Sequence, residues 1–486
     1  MFRAIVAIGL LQVLTILVQI VRAKAISVVL GPAGLGIVGL IDQLVAAIAT
    51  VCALSLPTVV LRTMPRVHGE PAFARQYVSF FQAIIIVSAI GSAALGAVLL
   101  IWPTAFGDVV AAYATEFGIA LTSVPLLAVG LFLPNVLAAS MRPVGAAWLS
   151  FGVAAVATVA AVAGLLLGGI REIYIAQAIG TGALLAAALV YFKVALHLPF
   201  QDPSAGLAKE VRARPDIIPT AGAVYASLVG TAVALFVVRY VTAHSLGIEE
   251  GGLLQAILSM VLAVGAVLVA MGARYLGPLL NRPLPLGEKL ALADQFRHRQ
   301  LMILVALTVP LVLFSELILT IMFSSKFTGA ATWLPAFLVW QLLAVQTNVQ
   351  LQLLFALDEI WTVIWMSIAG CLLSAILCTA LIPGFGLSGA AAAMIAGAGL
   401  TMAIGAQRLR RRHAYSVKGS AIALGAYAVV VLLGAPLALD ALGWTSFAAR
   451  VAACVVLVGG LWPFLASEER TAIVGVLRRP RLRRST

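Results

Sequence analysis

The chain has 486 residues, of which 63% are hydrophobic and only 10% charged, with a mean hydropathy of +1.11. Soluble domains carry about 25% charged and about 45–50% apolar residues, so this chain has too little polar surface to cover a water-exposed globule, which excludes a soluble enzyme or binding module. Its net charge of +13 would suit nucleic acid in a soluble protein, but no soluble basic domain is present to hold it.

Apolar runs of about 20 residues, the length a helix needs to cross a bilayer, recur to the end of the chain. Lipid tolerates only helices or closed barrels. The expected fold class is therefore an all-α polytopic membrane protein with about fourteen transmembrane helices. In chain order the runs lie near 4–30, 35–61, 77–102, 116–139, 144–168, 173–196 and 217–243. The remainder lie near 250–276, 299–322, 330–356, 360–382, 386–407, 419–439 and 445–466. Arg3, the first run and Ala23-Lys24-Ala25 imitate a cleaved signal peptide. Apolar character resumes at once from Ile26 to Leu30, so the segment is expected to be retained as the first helix.

Charge sets the expected orientation. With a cytoplasmic N-terminus, 25 of the 31 Lys and Arg residues fall on the cytoplasmic side, and only Arg22, Lys24, Arg171, Arg239, Lys326 and Arg450 fall elsewhere. Under the positive-inside rule both termini are then cytoplasmic. Trp102, Tyr113, Tyr174, Tyr240, Trp333 and Trp444 lie near the opposite interface, as an aromatic belt would. The expected location is the inner membrane, crossed many times.

A repeat organises the chain. Leu30-Gly31-Pro32-Ala33-Gly34 returns as Leu246-Gly247-Ile248-Glu249-Glu250-Gly251 at an offset of 216, while Asn135-Val136 and Trp148 return as Asn348-Val349 and Trp361 at 213. The offset spans six helices. Because six is even, the copies keep one orientation and their pseudo-axis lies along the membrane normal, as in parallel-repeat transporters. The expected domains are a six-helix lobe over 1–200, a second over 201–410, and two extra helices with a basic tail over 411–486. Two lobes with a site between them form an alternating-access architecture.

Polar groups inside spans are costly and face a bundle interior or a wet cavity. On the first helix Gln12, Thr15, Gln19 and Arg22 form one stripe about 80° wide at 100° per residue, with Lys24 nearly opposite. On the tenth, Gln341, Asn348, Gln352 and Glu359 share a face, and on the seventh Thr220, Ser227, Thr231 and Thr242 align with Arg239 at the flank. Such stripes are either helix–helix glue or the lining of a hydrated cavity. Three of them at related places favour the cavity, with Arg22, Gln19, Thr15, Gln12, Arg239, Asn348, Gln352 and Gln341 as candidate headgroup contacts and Lys24 as a secondary cation. Asp42 and Glu316 are the acids within spans. Arg22 and Asp42 lie at equal depth on either side of the Gly31-Pro32 turn. They could form a structural salt bridge, or Asp42 could couple an ion or proton, whereas Glu316 sits nearer the outer surface.

Other chemistries are set aside. No phosphate-binding G-x-x-x-x-G-K-[ST] loop occurs, and no in-membrane His–Asp or Ser–His pair suggests hydrolysis or acyl transfer. Cys52, Cys371, Cys378 and Cys454 lie in apolar runs without metal spacing. No cofactor, metal or nucleic acid is expected, and no enzymatic activity. Arg410–Arg412 and the arginines from Arg478 onward read as topology signals and contacts for anionic lipid headgroups.

The stretch from Val21 to Leu44, with Lys24, Gly31-Pro32-Ala33-Gly34-Leu35-Gly36 and Asp42-Gln43-Leu44, resembles bacterial polysaccharide flippases, most closely the O-antigen (Wzx-type) translocases. These belong to the superfamily of multidrug and toxic-compound extruders and lipid II flippases. The topological resemblance covers nearly the whole chain. It implies movement of an undecaprenyl-pyrophosphate-linked oligosaccharide from the cytoplasmic to the periplasmic leaflet, a cationic cavity for the headgroup, coupling to an ion gradient, and other polysaccharide-assembly proteins as partners. Most O-antigen translocases have twelve helices, so fourteen departs from that branch. Arginine suits such a cargo because its fork matches pyrophosphate oxygens bidentately. Three alternatives stand beside it: an ion-coupled multidrug or small-cation exporter, which would want an acidic cavity, a lipid II flippase of the same superfamily, and a membrane-embedded glycan polymerase or ligase, which usually needs a larger outer loop than any here.

Overall fold

The computed structural model describes residues 2–202, 205–213, 217–282, 284–441, 446–465 and 470. Among them the secondary structure is helical throughout, with no strand. In chain order the α-helices are α1 (Phe2–Cys52), α2 (Leu56–Thr63), α3 (Pro71–Ile101), α4 (Asp108–Ala112), α5 (Ala114–Leu121), α6 (Val124–Ala139), α7 (Pro143–Leu167), α8 (Ile170–Ala195) and α9 (Leu207–Ala213). They continue as α10 (Ile217–Ser245), α11 (Ile248–Met271), α12 (Gly277–Leu280), α13 (Leu286–Leu313), α14 (Ser315–Met322), α15 (Leu334–Ala356), α16 (Ile360–His413), α17 (Gly419–Ala441) and α18 (Phe447–Gly459).

The two longest helices are hairpins. Gly31 breaks α1 with φ 68 and ψ −166, a conformation open to glycine, and Pro32 needs no hydrogen bond as the next helix opens. Arg22 and Asp42 would be about 30 Å apart on a straight helix, yet their side chains meet at 2.7 Å. The chain therefore reverses at Gly31. Gly386 (φ 59) does the same in α16, bringing Arg408 to 2.8 Å from Glu359. Among the described residues eleven helices are long and apolar enough to cross a membrane, twelve with the bent pair Ser325–Thr332 and Leu334–Ala356. Two of these are hairpins of two arms each, so fourteen candidate spans lie among the described residues. This is a multi-pass membrane protein.

Two expected helices are interrupted. The run 35–61 divides at Leu54 and Ser55, both with positive φ, and α2 begins afresh with Pro57 in its first turn. The run 299–322 divides at Phe314 into α13 and α14, and α13 reaches back to Leu286 through charged residues that the apolar window could not include.

The backbone carries the repeat more clearly than the sequence does. Left-handed residues recur as Gly31 and Gly247, Met141 and Asp358, Gly169 and Gly386, and His197 and Ala414, at offsets of 216 or 217. The register is thus 216–217 throughout, not 213, and pairs Trp148 with Trp365 and Asn135 with Gln352. The sequence match slipped by one helical turn because residues four apart share a face. Contacts between the copies are reciprocal. A methyl group on Gly36 would overlap the Ile248 carbonyl, and one on Gly252 would overlap the Pro32 carbonyl. Each pair is the image of the other at 216. Such self-complementary contact is the mark of a two-fold relation.

Packing differs between the two ends of the bundle. At the end with the four glycine turns, Ile37, Leu40 and Ile41 share one core with Leu254, Ile257 and Leu258. At the opposite, basic end each half has its own core, one around Phe80, Phe132 and Phe192 and the other around Leu276, Val349 and Met366. Helices α17 and α18 pack on the second half, where Leu424 and Ala428 join Leu304 and Val345 in a shared core.

Candidate polar site between the two halves

The hairpin at Gly31 builds the first part of the site. Arg22 Nη1 donates to Asp42 Oδ2 at 2.7 Å and Nη2 to Oδ1 at 3.2 Å, a forked pair, and Nη2 also reaches Gln177 Oε1 at 3.3 Å. Tyr174 on α8 directs its hydroxyl at Asp42 Oδ1 (3.1 Å) and the Val38 carbonyl (3.2 Å). The Arg22 and Asp42 side chains keep 20% and 32% of their exposure, so the pair is half-buried.

The second half supplies Arg239, only 6% exposed. Its Nε donates to Gln255 Oε1 at 2.8 Å and its Nη1 to the Leu235 carbonyl at 2.9 Å. Both partners are neutral. Asp42 also attracts Arg239 but touches only Arg22, so two arginines and one carboxylate leave one net positive charge. Gln43 bridges the halves by donating to the Ala232 carbonyl at 3.3 Å, and Gly39 packs against Gln255, the residue at its own repeat position. A positively charged, amide-lined group thus sits where the halves meet. It can bind an anion by charge-assisted hydrogen bonds.

Other expected residues stand apart from it. Thr15 spends its hydroxyl on the Leu11 carbonyl (2.8 Å), while Gln12 is half-buried and Gln19 exposed. No hydrogen bond joins these three to Arg22 among the described residues. Gln341, Asn348 and Gln352 lie inside the second half against Gly265, Gly272 and Gly277, along α11, a π-helical turn and α12. Glu359 leaves their face because α15 ends at Ala356 and Asp358 turns left-handed. It bonds instead to Arg408 (2.8 Å) and Thr362 (3.2 Å). Thr231 and Thr242 bond to carbonyls of their own helix, and the Thr220 side chain lies outside the described residues, as does the tail from Arg478. Lys24 points away from the Arg22 stripe as the helical angles require, crossing to the Thr320 carbonyl at 3.1 Å. Glu316 is exposed at the start of α14 and does not join Asp42.

Gln43, Gln177, Tyr174 and Gln255 are the members that sequence reasoning missed. Depth counting could have found Gln255. Arg239 and Gln255 each lie eight residues from Gly247, the argument that pairs Arg22 with Asp42.

The chain aligns over 97% of its length with the lipid II flippase MurJ in an inward closed conformation, covering 100% of that chain at 12% identity and a TM-score of 0.68. The chain shares the helical membrane fold of that protein. An inward-facing multidrug resistance MATE transporter of the MOP superfamily aligns with 83% of this chain and 94% of its own, at 15% identity and a TM-score of 0.60. The MATE multidrug transporter DinF-BH aligns with 84% of this chain and 94% of its own, at 17% identity and a TM-score of 0.60. No protein-family model and no curated protein matches the sequence.

Proposed function

We propose that the protein is a flippase moving a lipid-linked oligosaccharide with a pyrophosphate headgroup from the cytoplasmic to the outer leaflet, for surface polysaccharide assembly. The lobes 1–200 and 201–410 rock about the polar group between them, with both termini cytoplasmic, and α17 and α18 ride on the second lobe. The observation that carries this reading is the alignment with the lipid II flippase over 97% of this chain and all of that one, against 83% for the inward-facing exporter. The site chemistry supports it. Arg239 has only neutral partners and Asp42 is engaged by Arg22, which suits an anionic headgroup and disfavours a cation.

The shared core at the glycine-turn end and the separate cores at the basic end fit a cavity that opens to the cytoplasm. A pyrophosphate headgroup would enter there while its isoprenoid tail stays in lipid. The test is translocation of a fluorescent undecaprenyl-pyrophosphate oligosaccharide in proteoliposomes, run beside efflux of a lipophilic cationic dye. Glycan translocation without dye efflux is expected. Dye efflux alone would replace this reading with the small-cation exporter.

A further inference from the structure

The inner end of α16 carries Arg408, Arg410, Arg411, Arg412 and His413 in its last turns. These side chains do not share one environment. Glu359 holds Arg408 at 2.8 Å and faces His413 at 3.4 Å. Arg410 has no ion-pair partner among the described residues. It lines an open cleft of about 340 Å³ between the end of α16 and the start of α17, with Gln407, Tyr415, Ser416, Val417 and Ile422.

The cleft has two kinds of wall and a fixed floor. Gln407, Arg410 and Ser416 offer an amide, a guanidinium and a hydroxyl. Val417 and Ile422 offer an apolar face, and Ile422, one turn into α17, is 61% exposed. Tyr415 forms the floor at 6% exposure. Ala414 turns left-handed at the end of α16 and sends Tyr415 inward, where its hydroxyl donates to Asp294 on α13. The floor is thereby tied to the helix on which α17 and α18 pack.

We propose that this cleft binds an anionic phospholipid of the adjacent leaflet, its phosphate on Arg410, Gln407 and Ser416 and its acyl chain along Val417 and Ile422. The depth is right for a lipid phosphate, since α16 turns from apolar to basic between Ala406 and Arg412. A zwitterionic lipid would leave the unpaired guanidinium without net opposite charge, and a free phosphate would leave the apolar wall bare. The lipid would bridge α16 and α17 and fasten the appended helices to the second half, whatever cargo the transporter carries.

The test is native mass spectrometry of the purified full-length protein with equimolar phosphatidylglycerol and phosphatidylcholine. Phosphatidylglycerol is expected to be retained selectively, and Arg410→Gln to lower its retention about five-fold, the weight of one basic residue at an anionic surface. Arg411→Gln, exposed but outside the cleft, should leave retention unchanged, and soluble glycerol phosphate should not compete. If Arg410→Gln does not yield folded protein, Ile422→Trp fills the apolar wall without altering charge and should also lower retention. Equal retention of the two lipids, an equal loss in Arg411→Gln, or full competition by glycerol phosphate would each overturn the proposal.

Discussion

Arg22 places two nitrogens on the Asp42 carboxylate, so removing it alone leaves an uncompensated charge. The loss should fall below the about 3–5 kcal/mol typical of a fully buried pair, because both side chains keep partial contact with solvent. Arg22→Ala is expected to reduce the amount of folded protein in the membrane, and Arg22→Ala with Asp42→Asn to restore it. Quantitative immunoblotting of membranes checks this, and undiminished protein in the single mutant would show that the pair is dispensable. Arg239 behaves differently because Gln255 and Leu235 are neutral. Arg239→Ala should leave protein amount near normal and remove a charge-assisted contact of about 1.5–3 kcal/mol, lowering glycan export by roughly one to two powers of ten. Arg239→Lys should recover part of that export, since lysine keeps the charge and loses the fork. Normal export in Arg239→Ala, measured per unit of membrane protein, would remove this arginine from the headgroup site.

At the scale of elements, the α16 hairpin is held at both ends. The Gly386 turn closes one end, and a clasp of Glu359, Arg408, Thr362 and His413 closes the other. Burial pushes the Glu359 carboxyl up, but hydrogen bonding and charge from Arg408, with a further bond from Thr362 and the nearby His413, outweigh it and hold it below its usual value. The folded-state value is therefore the depressed one. The clasp contributes stability that is fully present above the unfolded carboxylate value of about 4.3 and is lost as pH falls through the lower folded value. The melting temperature of the purified protein should drop on acidification below about pH 4, and Glu359→Gln should be less stable at neutral pH but flatter across the acid range. Parallel acid profiles for the two proteins would sever the clasp from stability.

At the scale of the whole molecule, α1 and α14 approach at the glycine-turn end, where Lys24 meets the Thr320 carbonyl at 3.1 Å, and Tyr240 on α10 donates to the Phe106 carbonyl at 2.8 Å. Alternating access requires these contacts to part. Cysteines at positions 24 and 320, in a background with the native cysteines replaced, should be joined by a membrane-impermeant thiol crosslinker applied from the periplasmic side. Export should stop when they are joined and return when a cleavable linker is cut. Export that continues in the joined protein would rule out rocking of the halves, and crosslinking only from the cytoplasmic side would reverse the orientation.

Composition and run length alone determined the class, the helical architecture and the number of spans, because in lipid every backbone group must bond within its own helix. The Gly31 turn with its flanking Arg22 and Asp42 was also legible, since depth on two antiparallel helices follows from counting outward from the turn. Helical periodicity fixes which face a residue shares, but not which helix covers that face. Hence Gln341, Asn348 and Gln352 read as a cavity stripe and turned out to lie against Gly265, Gly272 and Gly277 of their own half. Hence too the repeat matched one turn out of register until the left-handed residues Met141 and Asp358 fixed it. Only the tertiary structure decided that Arg22 and Asp42 gain Gln177 and Tyr174 while Arg239 finds the neutral Gln255, because those contacts depend on which neighbours the packing of α8 and α11 brings to each group.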